Sequence, residues 1–161
     1  MKAIHLLLLL LPFSATAQEQ TDSTVLKLLG LRSERFRMDP PDSTFTPMDN
    51  GYESESGATV IYQLMPVTFD RMLSDIEKDK GNATDSFVFR KPVVIGKLSG
   101  YLIKMFYQSP DSNFENMYGL LFFYPYGKET MNISAIYPVS QDKALYPKME
   151  RTFASLRRLE Q

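Results

Sequence analysis

The stretch MYGLLFFYPYGKETMNISAIYP, Met117 to Pro138, decides the fold. It places two runs rich in aromatic and β-branched residues on either side of a short polar turn, the pattern of a β-hairpin. Pro125 suits the second position of a type I turn and Gly127 the positive φ that follows, so a three-residue loop with a bulge is expected. That register sets Tyr124 against Lys128, Leu121 against Met131, Gly119 against Ile133 and Met117 against Ala135, giving one face that is apolar on both strands. On the other face Tyr118, Leu120, Phe122 and Tyr124 stand opposite Ser134, Asn132, Thr130 and Lys128. The first face is therefore assigned to the core, and the second to partial cover by a helix. A lipid-facing hairpin would not carry Lys128, Thr130 and Asn132 through its centre.

Working outward, Thr59 to Met65 has strand composition, with Val60, Tyr62 and Leu64 on one side. Beyond Pro66, the residues Phe69, Met72, Leu73 and Ile76 form the apolar stripe of an amphipathic helix. Thr68 suits its cap, Asp70 its first turn, and a stop is expected near Lys80-Gly81-Asn82. Phe87 to Ile95 and Tyr101 to Gln108 read as strands joined by the turn Gly96 to Gly100. Ser109 to Asn113 is a further turn. Leu145, Met149, Phe153 and Leu156 line a closing helix whose first turn must contain Pro147, so it should begin between Lys143 and Tyr146. Arg157 and Arg158 suit its carboxyl end. Nearer the amino end, Phe36-Arg37-Met38 runs into Asp39-Pro40-Pro41, which ends any regular element. Asp42 to Gly57 reads as a loop with one edge strand, and Val25 to Leu31 as a short helix or an amphipathic strand.

The first 17 residues have the plan of a secretory signal peptide: Lys2, an aliphatic run from Ile4 to Leu11, and Ala15-Thr16-Ala17 before Gln18. The run is shorter than the ~20 residues of a membrane span. Residues 18–161 then form a single domain, with 18–24 a disordered lead-in. Cleavage removes His5, the only histidine, and the chain has no cysteine and no tryptophan. Imidazole- or thiolate-based nucleophilic catalysis and the usual zinc and copper sites are thereby excluded, as is a lipid anchor on cysteine. Asp75, Glu77 and Asp79 alternate with Lys78 and Lys80, the mark of a solvated face. No calcium loop or phosphate loop is present. Asn82-Ala83-Thr84 and Asn132-Ile133-Ser134 match the glycosylation sequon. With 18 basic against 19 acidic residues, nothing in the charge favours nucleic acid or an anionic membrane.

The expected architecture is α+β: an antiparallel sheet of about five to seven strands flanked by helices on both faces, an α/β/α sandwich. Element order and four segments, FRMDPP (Phe36 to Pro41), IYQLMPVTFDRM (Ile61 to Met72), IGKLSGYLIKM (Ile95 to Met105) and ISAIYP with TFASLRRL (Ile133 to Leu159), resemble the PsbP-like superfamily. That superfamily includes a photosystem II extrinsic subunit, a Ran-binding protein and DcrB-related bacterial envelope proteins. The resemblance implies a sheet between helical layers and a mostly non-enzymatic, partner-binding role. It transfers no site, and the lipid-anchoring cysteine of the lipoprotein members is missing here.

The function expected is that of a secreted or periplasmic, non-catalytic module that binds another envelope or secreted protein, with no cofactor, metal or catalytic residue. Tyr124, Pro125 and Tyr126 are the candidate docking residues, because a hairpin tip presents tyrosines to a partner at small entropic cost. One alternative is a small-ligand carrier whose cleft is lined by Tyr101, Phe106, Tyr107 and Phe122. The other is a small hydrolase using a carboxylate pair.

Overall fold

The computed structural model describes residues 36–79, 85–109 and 114–159. The signal peptide, the lead-in, the segment Val25 to Leu31, Lys80-Gly81-Asn82, the first sequon and most of the Ser109 to Asn113 turn lie outside them. Seven strands, β2 (Phe45–Met48), β3 (Gly51–Ser54), β4 (Thr59–Met65), β5 (Asp85–Ile95), β6 (Leu98–Tyr107), β7 (Met117–Tyr126) and β8 (Glu129–Pro138), form one antiparallel sheet in the order β2-β3-β4-β8-β7-β6-β5. A small second sheet joins β1 (Phe36–Arg37) to β9 (Arg157–Arg158). Helix α1 (Phe69–Lys78) lies between β4 and β5 in the chain, and α2 (Asp142–Ala154) follows β8 through a 3-10 turn at Val139–Gln141. The fold is thus α+β.

The opening hairpin forms, but in another register. Tyr126 pairs with Glu129, Tyr124 with Met131, Phe122 with Ile133 and Leu120 with Ala135, so the loop is only Gly127-Lys128. Gly127 has φ +62°, the positive value that the two-residue hairpin turns require at their first position and that matches the twist of the strands. Pro125 stays in the strand. Its missing N–H faces the β6 side, where pairing has already ended at Tyr101↔Phe123, so no ladder bond is lost. The shift of three residues is odd, so it exchanges the faces: Leu120, Phe122 and Tyr124 share a face with Met131, Ile133 and Ala135, whereas Leu121 and Phe123 lie with Ser134 and Asn132.

Residues 119–124 are all buried, because β7 is central and its two faces serve two clusters. The even-numbered face, with Val60, Tyr62 and Leu102, packs with Leu145, Met149 and Phe153 of α2; Phe122 stacks on Phe153 with ring centroids 6.3 Å apart. The odd-numbered face, with Ile103, packs with Met72 and Ile76 of α1. A strand buried on both sides reads as a continuous apolar run rather than an alternation.

Other expectations are also revised. A second Gly-Lys turn, Gly96-Lys97 with φ +60° at Gly96, joins β5 to β6, so β6 starts at Leu98. Asp42 to Gly57 holds a full hairpin, β2 and β3, rather than one edge strand. Helix α2 begins at Asp142, so Pro147 lies in its second turn and removes one intrahelical donor. Arg157 and Arg158 leave the helix to pair with β1. Two tyrosines tie the β1 segment to the sheet: Tyr62 Oη donates to the Phe36 carbonyl at 2.9 Å and Tyr52 Oη to that of Met38 at 2.8 Å. Thr68 is the N-cap of α1 without a side-chain capping bond. At the other end Arg90, on the edge strand β5, donates to the carbonyls of Ile76 and Asp79 at 2.9 and 3.0 Å, satisfying groups that a helix end leaves open.

Candidate functional site

Helix α1 has only ten residues, about 15 Å of length, and packs on Ile103, Leu121 and Phe123. Toward the other end of the same face, among the described residues, no helix covers the sheet, and a groove of about 220 Å³ lies across four adjacent strands. Thr59 and Ile61 enter from β4, Ser134 and Ile136 from β8, Gly119 and Leu121 from β7, and Tyr107 from β6. Strand alternation puts these side chains on one face, since Thr59 pairs with Ile136, and Ile136 with Gly119.

Gly119 shapes the groove. A Cβ there would lie 2.5 Å from Cε2 of Tyr107, so only glycine lets the tyrosine ring lean over the strand and form a wall. Tyr107 Oη donates to Met105 Sδ at 3.4 Å. Burial, with a smaller effect from the Asp85 charge, pushes its phenol up to about 12. It is neutral at physiological pH and serves as wall and donor. The lining is apolar apart from the Thr59 and Ser134 hydroxyls and the Tyr107 phenol.

A second constellation sits on the opposite face. Lys104, with its side chain 8% exposed, donates to Asp142 Oδ1 at 2.6 Å and lies 4.1 Å from the ring centroid of Tyr118 and 4.9 Å from that of Tyr146. Tyr137 Oη also donates to Asp142 Oδ1, at 3.0 Å, and Tyr146 Oη donates to Glu150 at 2.8 Å. Burial first, then the neighbouring carboxylates, raises the phenols of Tyr137 and Tyr146. The ammonium is held by one carboxylate and two ring faces, and the network anchors the start of α2 to β6.

The residues singled out from sequence fare unevenly. Tyr124 is 7% exposed and stacks on Phe122, contrary to the expectation of an exposed tip; its phenol is pushed up to about 12, chiefly by burial. Pro125 is exposed, and half-buried Tyr126 packs edge-on against Phe36, with ring centroids 5.2 Å apart. The four aromatics of the expected cleft do not converge: alternation sends Tyr101 and Tyr107 to one face and Phe106 and Phe122 to the other. Asn132 is buried in β8 and is closed to a glycan in the folded protein. Among the described residues, no group of three or more His, Cys, Asp or Glu side chains could hold a metal ion. Sequence reasoning missed the groove itself, whose one signal was Gly119 inside an otherwise bulky strand.

No family model matches the chain, and no curated protein matches it. Solved structures do. A Pseudomonas aeruginosa protein of unknown function, PA94, superposes with a TM-score of 0.53 at 7% identity, over 80% of this chain and 85% of that one. LpqN of Mycobacterium tuberculosis, described as involved in cell envelope biogenesis, gives 0.51 at 9% identity, over 78% and 83%. The neighbours also include cyanobacterial PsbP from Synechocystis, at 0.44 and 6% identity over 78% and 94%. The first two carry the likeness, and at such identities it is one of fold.

Proposed function

We propose that the chain is an exported, non-catalytic protein-binding module of the cell envelope, and that the groove beside α1 is its docking surface. The proposal takes the domain as an α/β/α sandwich in which α2 layers one sheet face and α1 only part of the other. The observation that carries it is the groove: apolar side chains of Ile61 and Ile136 beside the ring of Tyr107, with Leu121 at the edge of α1, on the part of the sheet face beyond that helix. Its volume of about 220 Å³ is below the ~300–1,000 Å³ of sites for drug-sized ligands. It is sufficient for one large side chain, and protein interfaces concentrate their energy in such pockets filled by an anchor residue. Export is supported by the signal-like first 17 residues. Among the described residues no helix is long and apolar enough to cross a membrane.

The test is site-specific photocrosslinking in the source organism, with a benzophenone amino acid replacing Ile136 in the groove, Tyr126 at the hairpin tip or exposed Val94 on the edge strand. A single envelope protein crosslinked from Ile136 and not from Val94 is the expected result. Crosslinking from Tyr126 alone would move the docking surface to the tip, where Pro125 and Tyr126 remain accessible.

A further inference from the structure

Two small residues make the depression in the groove floor. Gly119 and Ser134 are diagonal neighbours on β7 and β8, since Gly119 pairs with Ile136 and Leu121 with Ser134. The space above Gly119 is taken by the Tyr107 ring, which leaves the dip over Ser134. On either side of that dip stand Ile61 and Leu121, the cross-strand partners of Ser134. Ser134 lines the groove and is only 7% exposed, and among the described residues its hydroxyl has no hydrogen-bond partner. Asn132, two residues back on the same face, also has an unpaired Oδ1, but that atom is fully enclosed, so Ser134 is the group that an occupant can reach. Solvent satisfies the hydroxyl while the groove is open. An occupant that fills the groove displaces that solvent and must itself supply the partner.

Resting on the docking role assigned to the groove above, we propose that the partner's anchor residue is a tyrosine, its ring between Ile61, Ile136 and the Tyr107 ring and its phenol on the Ser134 hydroxyl. The unpartnered serine, more than nine-tenths buried at the floor, selects this side chain. An aliphatic side chain or a phenylalanine would cover the hydroxyl and leave it unpaired. A charged tip would give up its hydration for one neutral oxygen, since no residue of the lining is charged. The indole N–H of tryptophan lies on the flank of a wider ring system rather than at its tip. A tyrosine is apolar along its body and polar at its end, and its hydroxyl both donates and accepts, as that of serine does. Tyr107 offers the incoming ring an edge-to-face contact. A site of this kind rejects the analogue that lacks the hydroxyl, because its own polar group is then left without a partner.

The experiment is an NMR titration of the full mature chain with three neutral amino-acid amides, N-acetyltyrosinamide, N-acetylphenylalaninamide and N-acetyl-para-fluorophenylalaninamide, followed at the backbone amides of Gly119, Ser134 and Ile136. The tyrosine amide is expected to bind about fivefold tighter than the other two, the worth of one neutral hydrogen bond. In Ser134→Ala the three should bind alike. Should that variant fold poorly, the fluorinated ring decides on wild type alone: it fills nearly the space of the phenol without its hydrogen bond, so it must bind like phenylalanine. If the tyrosine and fluorinated amides bind alike in wild type, or the tyrosine preference survives in Ser134→Ala, recognition through Ser134 is overturned while the groove stays as a docking surface. Shifts confined to residues away from the groove would overturn the tyrosine anchor outright. The crosslinking from Ile136 judges the docking role independently.

Discussion

Lys104 shows how much a single residue can depend on its surroundings. Within YLIKMF it looks like one polar position in a strand, yet its ammonium is buried against Asp142 and two tyrosine rings. The partners differ in exposure, the lysine side chain at 8% and the aspartate at 33%, so removing them should not cost the same. Asp142→Ala leaves a buried cation with no carboxylate and is expected to cost about 3 kcal/mol. Lys104→Met leaves an aspartate that water can reach and should cost about 1 kcal/mol. Urea melts giving the reverse order would contradict the network. Asp42 makes a second tie, accepting from Lys148 of α2 at 2.6 Å. That bond and those from Thr44 lower its carboxyl to about 2, below the ~3.9 of an unfolded chain. The tie therefore contributes stability that is complete above about pH 4 and is lost as pH falls toward 2. In Asp42→Asn the stability should fall less steeply between pH 4 and pH 2 than in wild type, as read from urea midpoints across that range; an unchanged slope would remove Asp42 from the acid response.

At the scale of elements, the two Gly-Lys turns set the hairpin registers and differ in what surrounds them. A Cβ at Gly127 would meet nothing within 4 Å, whereas one at Gly96 would lie 3.1 Å from Cβ of Ala154 in α2. Both positions hold positive φ, so alanine at either should cost about 1 to 2 kcal/mol of backbone strain, and Gly96→Ala should cost more. Ala154→Gly should recover part of the extra loss in Gly96→Ala and none of that in Gly127→Ala. Equal recovery in both double mutants would mean that α2 does not press on the first turn. Leu121→Ala, under α1, should cost about 2 to 5 kcal/mol. The strand Thr59–Met65 and the helix stripe at Met72 and Ile76 were legible in the sequence because each buries one side and keeps its period. The register of β7 was not, since a strand apolar on both faces has no alternation to read and the turn alone must set it. Pro125 and Gly127 together suggested a bulged three-residue loop; the two-residue turn Gly127-Lys128 prevails because it pairs every residue from Tyr126 back to Met117. The groove depends on that register, so it was hidden with it.

For the whole molecule, α2 packs in one core cluster and α1 in the other, and the proposed docking role rests on a sandwich in which α1 layers only part of its sheet face. Export is tested by mass spectrometry of the secreted protein, which should give a chain starting at Gln18 with no acyl group; an intact Met1 or an added acyl mass would contradict it. The openness of the groove is tested by thiol labelling, since the chain has no cysteine of its own and each single-cysteine variant reports one position. In the isolated protein, cysteine in place of Ile136 should react within about tenfold of one in place of Val94, which is 68% exposed, and far faster than one in place of Ile133, which is fully buried. Labelling at Ile136 as slow as at Ile133 would mean that the face is closed and that no partner docks there.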